Sequence, residues 1–295
     1  MANLKEVRNR IASVQSTQQI TKAMKMVSAA KLKRATNAII ALRPYATKLK
    51  EILENLSASL EGSSSPFIQE REPNKVLIVT VSSNRGLAGA FNMNVIKAAN
   101  NLIAEKYSEQ LKNGNVSIIS IGKKTQDFYE KRKYNVIGNN NEVYTALTFE
   151  NVTKITDLIM AGFIKGDFDK VEVVYNRFRN AAVQFITTEQ LLPLPKAEEP
   201  AKELTKVSNV DYILEPSQEE IVEQLIPKSI KIQLYKAVLD SHASEHGARM
   251  TSMDKATENA GELLKALKLS YNQARQAAIT TELTEIVSGA AALNG

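Results

Sequence analysis

Residues 18–34 read QQITKAMKMVSAAKLKR. The stretch holds Lys22, Lys25, Lys31, Lys33 and Arg34, and no acid, glycine or proline. The unbroken character extends in both directions: the first glycine of the chain is Gly62, and the only earlier proline is Pro44. Residues 3 to about 60 are therefore expected as one helix, roughly 85 Å long at about 1.5 Å per residue. Such a length exceeds the diameter of a small domain. Most of the helix has to lie against another long element or stand in solvent.

Stepping alternately by three and four residues from Leu4 meets Val7, Ile11 and Val14, and later Leu32, Ala35, Ile39, Leu42, Ala46, Leu49, Leu53, Leu56 and Leu60. This is the spacing of a coiled-coil seam. Between the two parts the same count lands on Gln18, Thr21, Lys25 and Ser28, all polar, while Ile20, Met24 and Val27 fall one residue to either side. The seam is expected to fail in this stretch, its apolar side chains pointing elsewhere because the partner helix shifts or another partner takes over. Pro44 removes one backbone donor and is expected to bend the helix without ending it. Gly62, with Ser63 to Ser65 and Pro66, ends it.

From Lys75 the pattern becomes that of an α/β domain. KVLIVTV (75–81) reads as a buried strand, SSNRGLAG (82–89) as a turn into a helix from about Ala90 to Leu111, and NVSIISIG (115–122) as a second strand followed by a helix through Lys133. Phe149 to Lys165 reads as helix, and KVEVVYNRF (170–178) and AAVQFITTEQLL (181–192) as two strands joined across Asn180. Pro193 and Pro195 close the last strand. Alternation of this kind implies an open sheet with right-handed crossovers.

Residues 196–217 are polar and carry Glu198, Glu199, Glu203, Asp211 and Glu215, which suits a linker or an irregular foot. Helix returns from about Gln218 to Leu293, with Pro227 near its start. Two long terminal helices flanking a globular insert are expected to pair as an antiparallel coiled coil. About half of positions 241–261 are Ala, Gly, Ser or Thr, which admits a close partner. Leu264, Leu267, Tyr271, Ala274 and Ala278 then resume a seam. The expected organisation is an N-terminal helix over 1–60, an α/β domain over 75–195, a foot over 196–217 and a C-terminal helix over 218–295. The fold class is α/β: a long antiparallel coiled coil of terminal helices with an inserted Rossmann-like open sheet.

Composition narrows the function classes. The chain has 295 residues, 43% hydrophobic and 24% charged, enough for a real core. It contains no cysteine, which excludes disulfides, thiolate metal sites and cysteine nucleophiles. No apolar run approaches the roughly 18 residues of a membrane span. The net charge of +6 is uneven, since residues 1–50 hold eleven Lys or Arg against Glu6 alone and the remainder is net acidic. A basic helix suits a solvated face, nucleic acid, an anionic membrane surface or an acidic protein partner. The stretch lacks the interleaved aromatics and the known motifs of nucleic-acid binders, so no nucleic-acid partner is expected.

Candidate chemistry is sparse. SSNRGLAGAFN (82–92) sits where phosphate loops sit, but Gly86 and Gly89 form only a GxxG, without the first glycine of GxGxxG or the Lys and Ser/Thr of a P-loop. A tight turn that needs glycine for its backbone angles is the preferred reading, with Arg85 and a helix N-terminus open to an anion. HASEH (242–246) matches an H-x-x-E-H zinc pattern and contains the only histidines. It lacks a third ligand and a pocket, and two solvated helix residues explain it. Met24, Met26, Met250 and Met253 read as flexible packing material. No catalytic residue, cofactor site or metal site is expected.

Three segments carry a resemblance: IASVQSTQQITKAMKMVSAAKLKRA (11–35), SSNRGLAGAFN (82–92) and ARMTSMDKATENAGELLKALKLSYNQARQAAITTELTEIVSGAAAL (248–293), joined by RPY (43–45) and QLLPLP (190–195). Together they resemble the gamma subunit of F-type ATP synthases, over nearly the whole chain. The family's turn motif commonly has Asp and Cys where this chain has Asn84 and Ala88, so any thiol chemistry there is lost.

The resemblance implies a non-catalytic rotor shaft of a proton-translocating complex. Its terminal helices would lie inside a ring of alpha and beta subunits, and its α/β domain and foot outside, against the epsilon subunit and the membrane c-ring. On this likeness residues 18–34 meet acidic loops of the beta subunits. It marks Lys22, Met24, Lys25, Arg249, Arg275, Gln276, Thr280 and Glu282 as shaft contacts, with Tyr212 and Glu215 in the foot. The uncharged run after Glu285 suits an apolar bearing. A start of the match within the first few residues leaves no room for a transit peptide, which favours the cytoplasmic side of a bacterial inner membrane, peripherally bound. A free-standing coiled-coil adaptor, or a nucleotide-binding enzyme using Gly86 and Gly89, remains as the alternative.

Overall fold

A computed structural model describes residues 4–60, 65–194 and 218–293. The chain divides into two compact units, one of residues 1–29 with 249–295 and one of residues 30–248. Two long helices contribute to both: α1, Leu4–Leu60, and α6, Gln218–Leu293. Both contain an interior proline, Pro44 and Pro227, and both continue past it.

In the first unit the two helices run antiparallel. Arg8 Nη2 donates to the Tyr271 hydroxyl at 2.9 Å, Gln18 Nε2 reaches the Thr257 carbonyl at 3.4 Å, and Lys25 Nζ meets Asp254 Oδ1 at 2.5 Å. The inward positions of α1 are Leu4, Val7, Ile11 and Val14, as the three-four stepping predicts. From α6, Ala260 and Leu264 are buried and Leu267, Tyr271, Ala274 and Ala278 half-buried.

The expected failure of the seam does not occur. Its stepping carries straight on through Gln18, Thr21, Lys25 and Ser28, with Ser28 only 2% exposed and Thr21 also buried. A helix that stays paired keeps one geometric face inward whatever chemistry that face carries. Ile20 and Val27 do point outward, as expected, but the partner helix remains in place and offers Asp254 and Thr257 to the polar groups.

In the second unit Ala35 and Ile39 of α1 pack with Leu239 and Ala243 of α6, beside Leu32, Leu42, Phe178 and Tyr235. The rest is a five-stranded sheet. Its strands are β1 (Val76–Val81), β2 (Val116–Ile121), β3 (Asn135–Val136), β4 (Lys170–Phe178) and β5 (Gln184–Leu192), in the order β3-β2-β1-β4-β5. β1 pairs in parallel with β2 and β4, β2 with β3, and only β5 is antiparallel, against β4. All six side chains of β1 are buried, because a central parallel strand is covered on both faces.

One face packs Leu77, Val79 and Ile119 against α5 (Phe149–Lys165) and against Ile226, Ile230 and Leu234 of α6. The other packs Val76, Ile78 and Ile118 against α2 (Phe91–Lys106) and Tyr129 of α4 (Lys123–Lys131). The stretch of α6 from Ile226 to Val238 therefore covers the sheet, with Ile52 of α1 packed against the same cluster. α5 is bounded by its own residues: the Thr148 side chain accepts from the Asn151 amide, and Gly166 takes the left-handed conformation at φ 79°.

Two elements depart from the sequence reading. The helix expected to run to Leu111 stops at Lys106, and the short α3 (Ser108–Lys112) follows a break at Tyr107. Tyr107 is buried there, and its hydroxyl donates to the Glu172 carboxylate in the sheet. β3 is only two residues long, too short to show any periodicity.

Asp240 of α6 is buried. Burial pushes its carboxyl up to about 6; Lys236 opposes the shift, Glu189 adds to it, and Arg43 and Arg177 also oppose it. Because the folded value lies above the unfolded one, the stabilising contribution is complete below the unfolded value and is lost as pH rises through about 6. Denaturant titrations should find the chain less stable at pH 8 than at pH 5 from this group. Asp240→Asn should remove that slope and raise stability at pH 8 by up to about 3 kcal/mol.

Candidate functional site

The crevice at the carboxyl ends of a parallel sheet, where strand order reverses, is the ordinary ligand site of open α/β folds. Here the reversal lies at β1, between β2 and β4, and α6 crosses it. Ser241 Oγ donates to the Val81 carbonyl at 3.3 Å and Ser244 Oγ to the Asn176 carbonyl at 3.0 Å. A Cβ on Gly247 would lie 3.1 Å from the Ala181 carbonyl oxygen. The small residues between 241 and 247 thus admit the sheet's edge, as well as the neighbouring helix. They fill the place a nucleotide would need.

The turn before α2 is also committed internally. The Ser83 amide donates to Asn92 Oδ1 at 2.9 Å, Asn84 Nδ2 to the Asn141 carbonyl at 2.8 Å, and the Lys123 amide to Asn84 Oδ1 at 3.0 Å. Gly89 takes a positive φ of 57°, as a glycine turn predicts. Gly86 does not: the other left-handed residue is Leu87, at φ 62°. Nothing lies nearer to a Cβ at Gly86 than Lys124 Cε at 4.0 Å, so the geometry does not demand glycine there.

The histidines are not the solvated pair the sequence suggests. His246 is 4% exposed and Glu245 is buried, while the His242 ring stacks on Tyr144 with centroids 5.4 Å apart. The two imidazoles stand edge to face at 4.5 Å, and His242 Nδ1 lies 3.8 Å from Glu245 Oε2. A 3-10 turn at Asn141–Tyr144, about a hundred residues earlier in the chain, covers this face of the helix, which local periodicity does not reveal. Burial also raises the Tyr144 hydroxyl well above its usual range, with the Glu245 carboxylate adding to the effect. Among the described residues no group of three or more His, Asp or Glu side chains is placed to hold a metal.

What the first unit turns outward is different. Lys22 is exposed, but Met24 is half-buried and Lys25 is held to Asp254. The apolar groups displayed are Ile20, Met26 and Val27, with Met26 at 61% exposure. Ile20 and Val27 were legible in their offset from the three-four stepping, whereas Met26, read from the sequence as packing material, is exposed because its position on α1 faces away from α6. Met253, by contrast, is packing material as expected, buried in the chain. Arg249 is 8% exposed, so it is not displayed. Arg275, Gln276, Thr280 and Glu282 are all exposed. Thr280 Oγ1 donates back to the Gln276 carbonyl at 2.9 Å and Thr284 Oγ1 to the Thr280 carbonyl at 2.8 Å, so these hydroxyls are already satisfied. Ile279, Leu283, Ile286 and Val287 form an outward apolar stripe. Tyr212 and Glu215 lie outside the described residues.

Lysines and apolar side chains on paired helices, with the sheet's ligand crevice closed, define a protein-binding element of a larger assembly. No helix among the described residues is long and apolar enough to cross a membrane. A family model described as ATP synthase matches residues 3–293. The chain is 57% identical to the ATP synthase gamma chain of Flavobacterium psychrophilum and 56% identical to that of Cytophaga hutchinsonii, each over 100% of both chains. It belongs to the ATP synthase gamma-chain family.

Among solved structures it resembles the central stalk and c-ring structure of Tetrahymena thermophila mitochondrial ATP synthase, with TM-score 0.58 and 25% identity over 80% of this chain and 99% of that one. It shares its fold with a chain of the Euglena gracilis mitochondrial ATP synthase, at TM-score 0.66 and 19% identity over 98% of this chain and 94% of that one.

The closed crevice makes a direct prediction about the turn at Gly86 and Gly89. Calorimetric titration of the isolated chain with Mg-ATP should give no heat of binding in the micromolar range. A stoichiometric micromolar site would restore the nucleotide-enzyme reading.

Proposed function

We propose that the chain is the central-stalk rotor subunit of an ATP synthase, carrying torque between a membrane c-ring and a catalytic ring of alpha and beta subunits. The observation that carries this reading is the antiparallel pairing of segments more than two hundred residues apart, Arg8 with Tyr271 and Lys25 with Asp254. It comes in a chain that matches gamma chains end to end. The subunit is non-catalytic. ATP chemistry belongs to the beta subunits, and this chain biases them.

A surface that carries different side chains on different sides contacts three otherwise equivalent sites differently, which shifts each toward a different conformation. Rotation permutes that bias. The proposed shaft contacts are Lys22, Met24, Lys25, Arg249, Arg275, Gln276, Thr280 and Glu282. The exposed members of the set suit direct contact. Met24, Lys25 and Arg249, being partly or wholly buried, suit a positioning role. Ile20, Met26 and Val27 join the contact surface on the strength of their exposure.

For the functional division we keep a shaft of residues 1–60 and 218–295, an α/β domain of 75–195 and a foot of 196–217. Tyr212 and Glu215 would act in the foot, toward the epsilon subunit and the c-ring. The chain is peripheral to a membrane-bound complex, and we place it on the cytoplasmic face of the inner membrane.

Two measurements test this. A tagged full-length chain recovered from its native membranes should bring alpha and beta subunits with it; recovery alone or as a dimer would return the adaptor reading. Arg275→Ala with Gln276→Ala should lower coupled ATP turnover roughly fivefold, the scale of one lost 1 kcal/mol contact. Circular dichroism of the isolated variant should stay unchanged, because both side chains are exposed.

A further inference from the structure

The sheet ends before its outer pair of strands does. β1 accompanies β4 only from Lys170 to Val174, while β4 and β5 go on together through the pairs Tyr175–Thr187, Asn176–Ile186, Arg177–Phe185 and Phe178–Gln184. These pairs make a two-stranded arm, roughly 13 Å long at about 3.3 Å per residue. Its tip is held together locally, since the Asn180 side chain accepts from the Ala182 and Val183 amides at 3.0 and 2.8 Å. A two-stranded ribbon alone is marginal in water, so the arm depends on what it lies against.

It lies against α6. Phe178 packs on the cluster of Ala35, Ile39, Leu239 and Ala243, the Asn176 carbonyl accepts from Ser244, and Gly247 leaves room for Ala181. Asp240 sits on the same stretch of α6 at 6% exposure. The charged groups that act on it come from every neighbouring element: Lys236 on α6 itself, Glu189 on β5, Arg43 on α1 and Arg177 on the arm. Lys236, Arg43 and Arg177 are all exposed, and they offset the burial of a carboxylate only in part. Glu189, which accepts from the Tyr175 hydroxyl at 2.7 Å, is a second acid on the sheet side of the contact and opposes ionisation of Asp240.

We infer that the arm closes on α6 as a proton-controlled clasp with Asp240 as its switch: the neutral carboxyl keeps the arm shut, and the carboxylate lets it lift from α6 more often. A shut arm holds a poorly hydrated anion near another acid. A lifted arm returns that charge to water. Burial sets the carboxyl of the shut form at about 6, above its value in water, so the hold is complete below the ordinary carboxylate range and is lost as pH rises through about 6. The clasp belongs to the chain itself and does not depend on the rotor reading.

Hydrogen exchange read by mass spectrometry on the full chain, corrected for the intrinsic rise of amide exchange with pH, tests it. Relative to β1, the amides of 175–187 should open about tenfold more often at pH 8 than at pH 5, the ratio that linkage gives for a carboxyl held at about 6. Asp240→Asn keeps the shape without the charge, and its arm should open equally at both pH values. Arg43→Ala, a change at an exposed position, removes one opposing cation and should move the response of the arm to higher pH. A pH response confined to the arm and absent from D240N supports the clasp. Equal opening of the arm at pH 5 and pH 8 overturns it, as does an equal change in β1 or a response that persists in D240N. Should D240N lose its helical circular dichroism, Arg43→Ala decides: an upward shift of the response supports the clasp, and an unmoved one overturns it.

Discussion

A paired helix has to keep one face inward, and in this chain that geometric demand prevails over the chemistry of individual side chains. In the first unit α1 presents Leu4, Val7, Ile11 and Val14 and then, in unbroken step, Gln18, Thr21, Lys25 and Ser28. Gln18 and Thr21 meet Thr257 and Lys25 meets Asp254, while the Ser28 hydroxyl donates to the Met24 carbonyl of its own helix, because a buried donor left alone costs more than an imperfect bond. What the pairing cannot accommodate inward it turns outward. Ile20, Met26 and Val27 are exposed because the faces that would hide them are not the ones in step.

In the second unit a different constraint rules, the close approach of α6 to the ends of the strands. Ser241, Ser244 and Gly247 are the residues that make it possible, two by donating to strand carbonyls and one by lacking a Cβ. With the helix so close, the edge at which folds of this architecture often bind nucleotides is covered by the chain itself. The sheet then serves as an anchor. Its odd-numbered face holds Ile226, Ile230 and Leu234 of α6, so the same helix is tied to the core by its first turns and to the strand ends a few turns on.

Much of this was legible in the residues, where a period repeats often enough to register. The bounds of α5 and α6 follow from hydrophobic spacing and from the breakers beside them. The inward positions of α1 follow from the three-four stepping itself. What misled was treating apolarity as the mark of an inward position, which made the polar stretch from Gln18 to Ser28 look like a break. His242 and His246 were obscure for another reason: Tyr144 covers them from a turn remote in sequence, and no periodicity of α6 records a neighbour of that kind. Tyr107 ends α2 early because its hydroxyl has Glu172 to reach, again a pairing between distant segments. Of the candidate contact residues, Arg275, Gln276, Thr280 and Glu282 on α6 are exposed. Met24, Lys25 and Arg249 were picked by motif, and motif does not say which way a side chain faces.

The outward chemistry of the first unit bears on how a turning surface can hold its neighbours. An ion pair has a preferred distance and direction, so a ring of them would resist each step of rotation by the strength of the bonds to be broken. Apolar contact has no direction, and its free energy follows the area covered more than the identity of the atoms covering it. Ile279, Leu283, Ile286 and Val287 on α6, and Ile20, Met26 and Val27 on α1, are of the second kind. The cross-helix ion pair of Lys25 with Asp254 joins the chain to itself. Lys22 and the lysines beyond it add attraction that falls off slowly with distance and requires no fixed geometry. A surface made this way can stay attached to a partner while sliding past it.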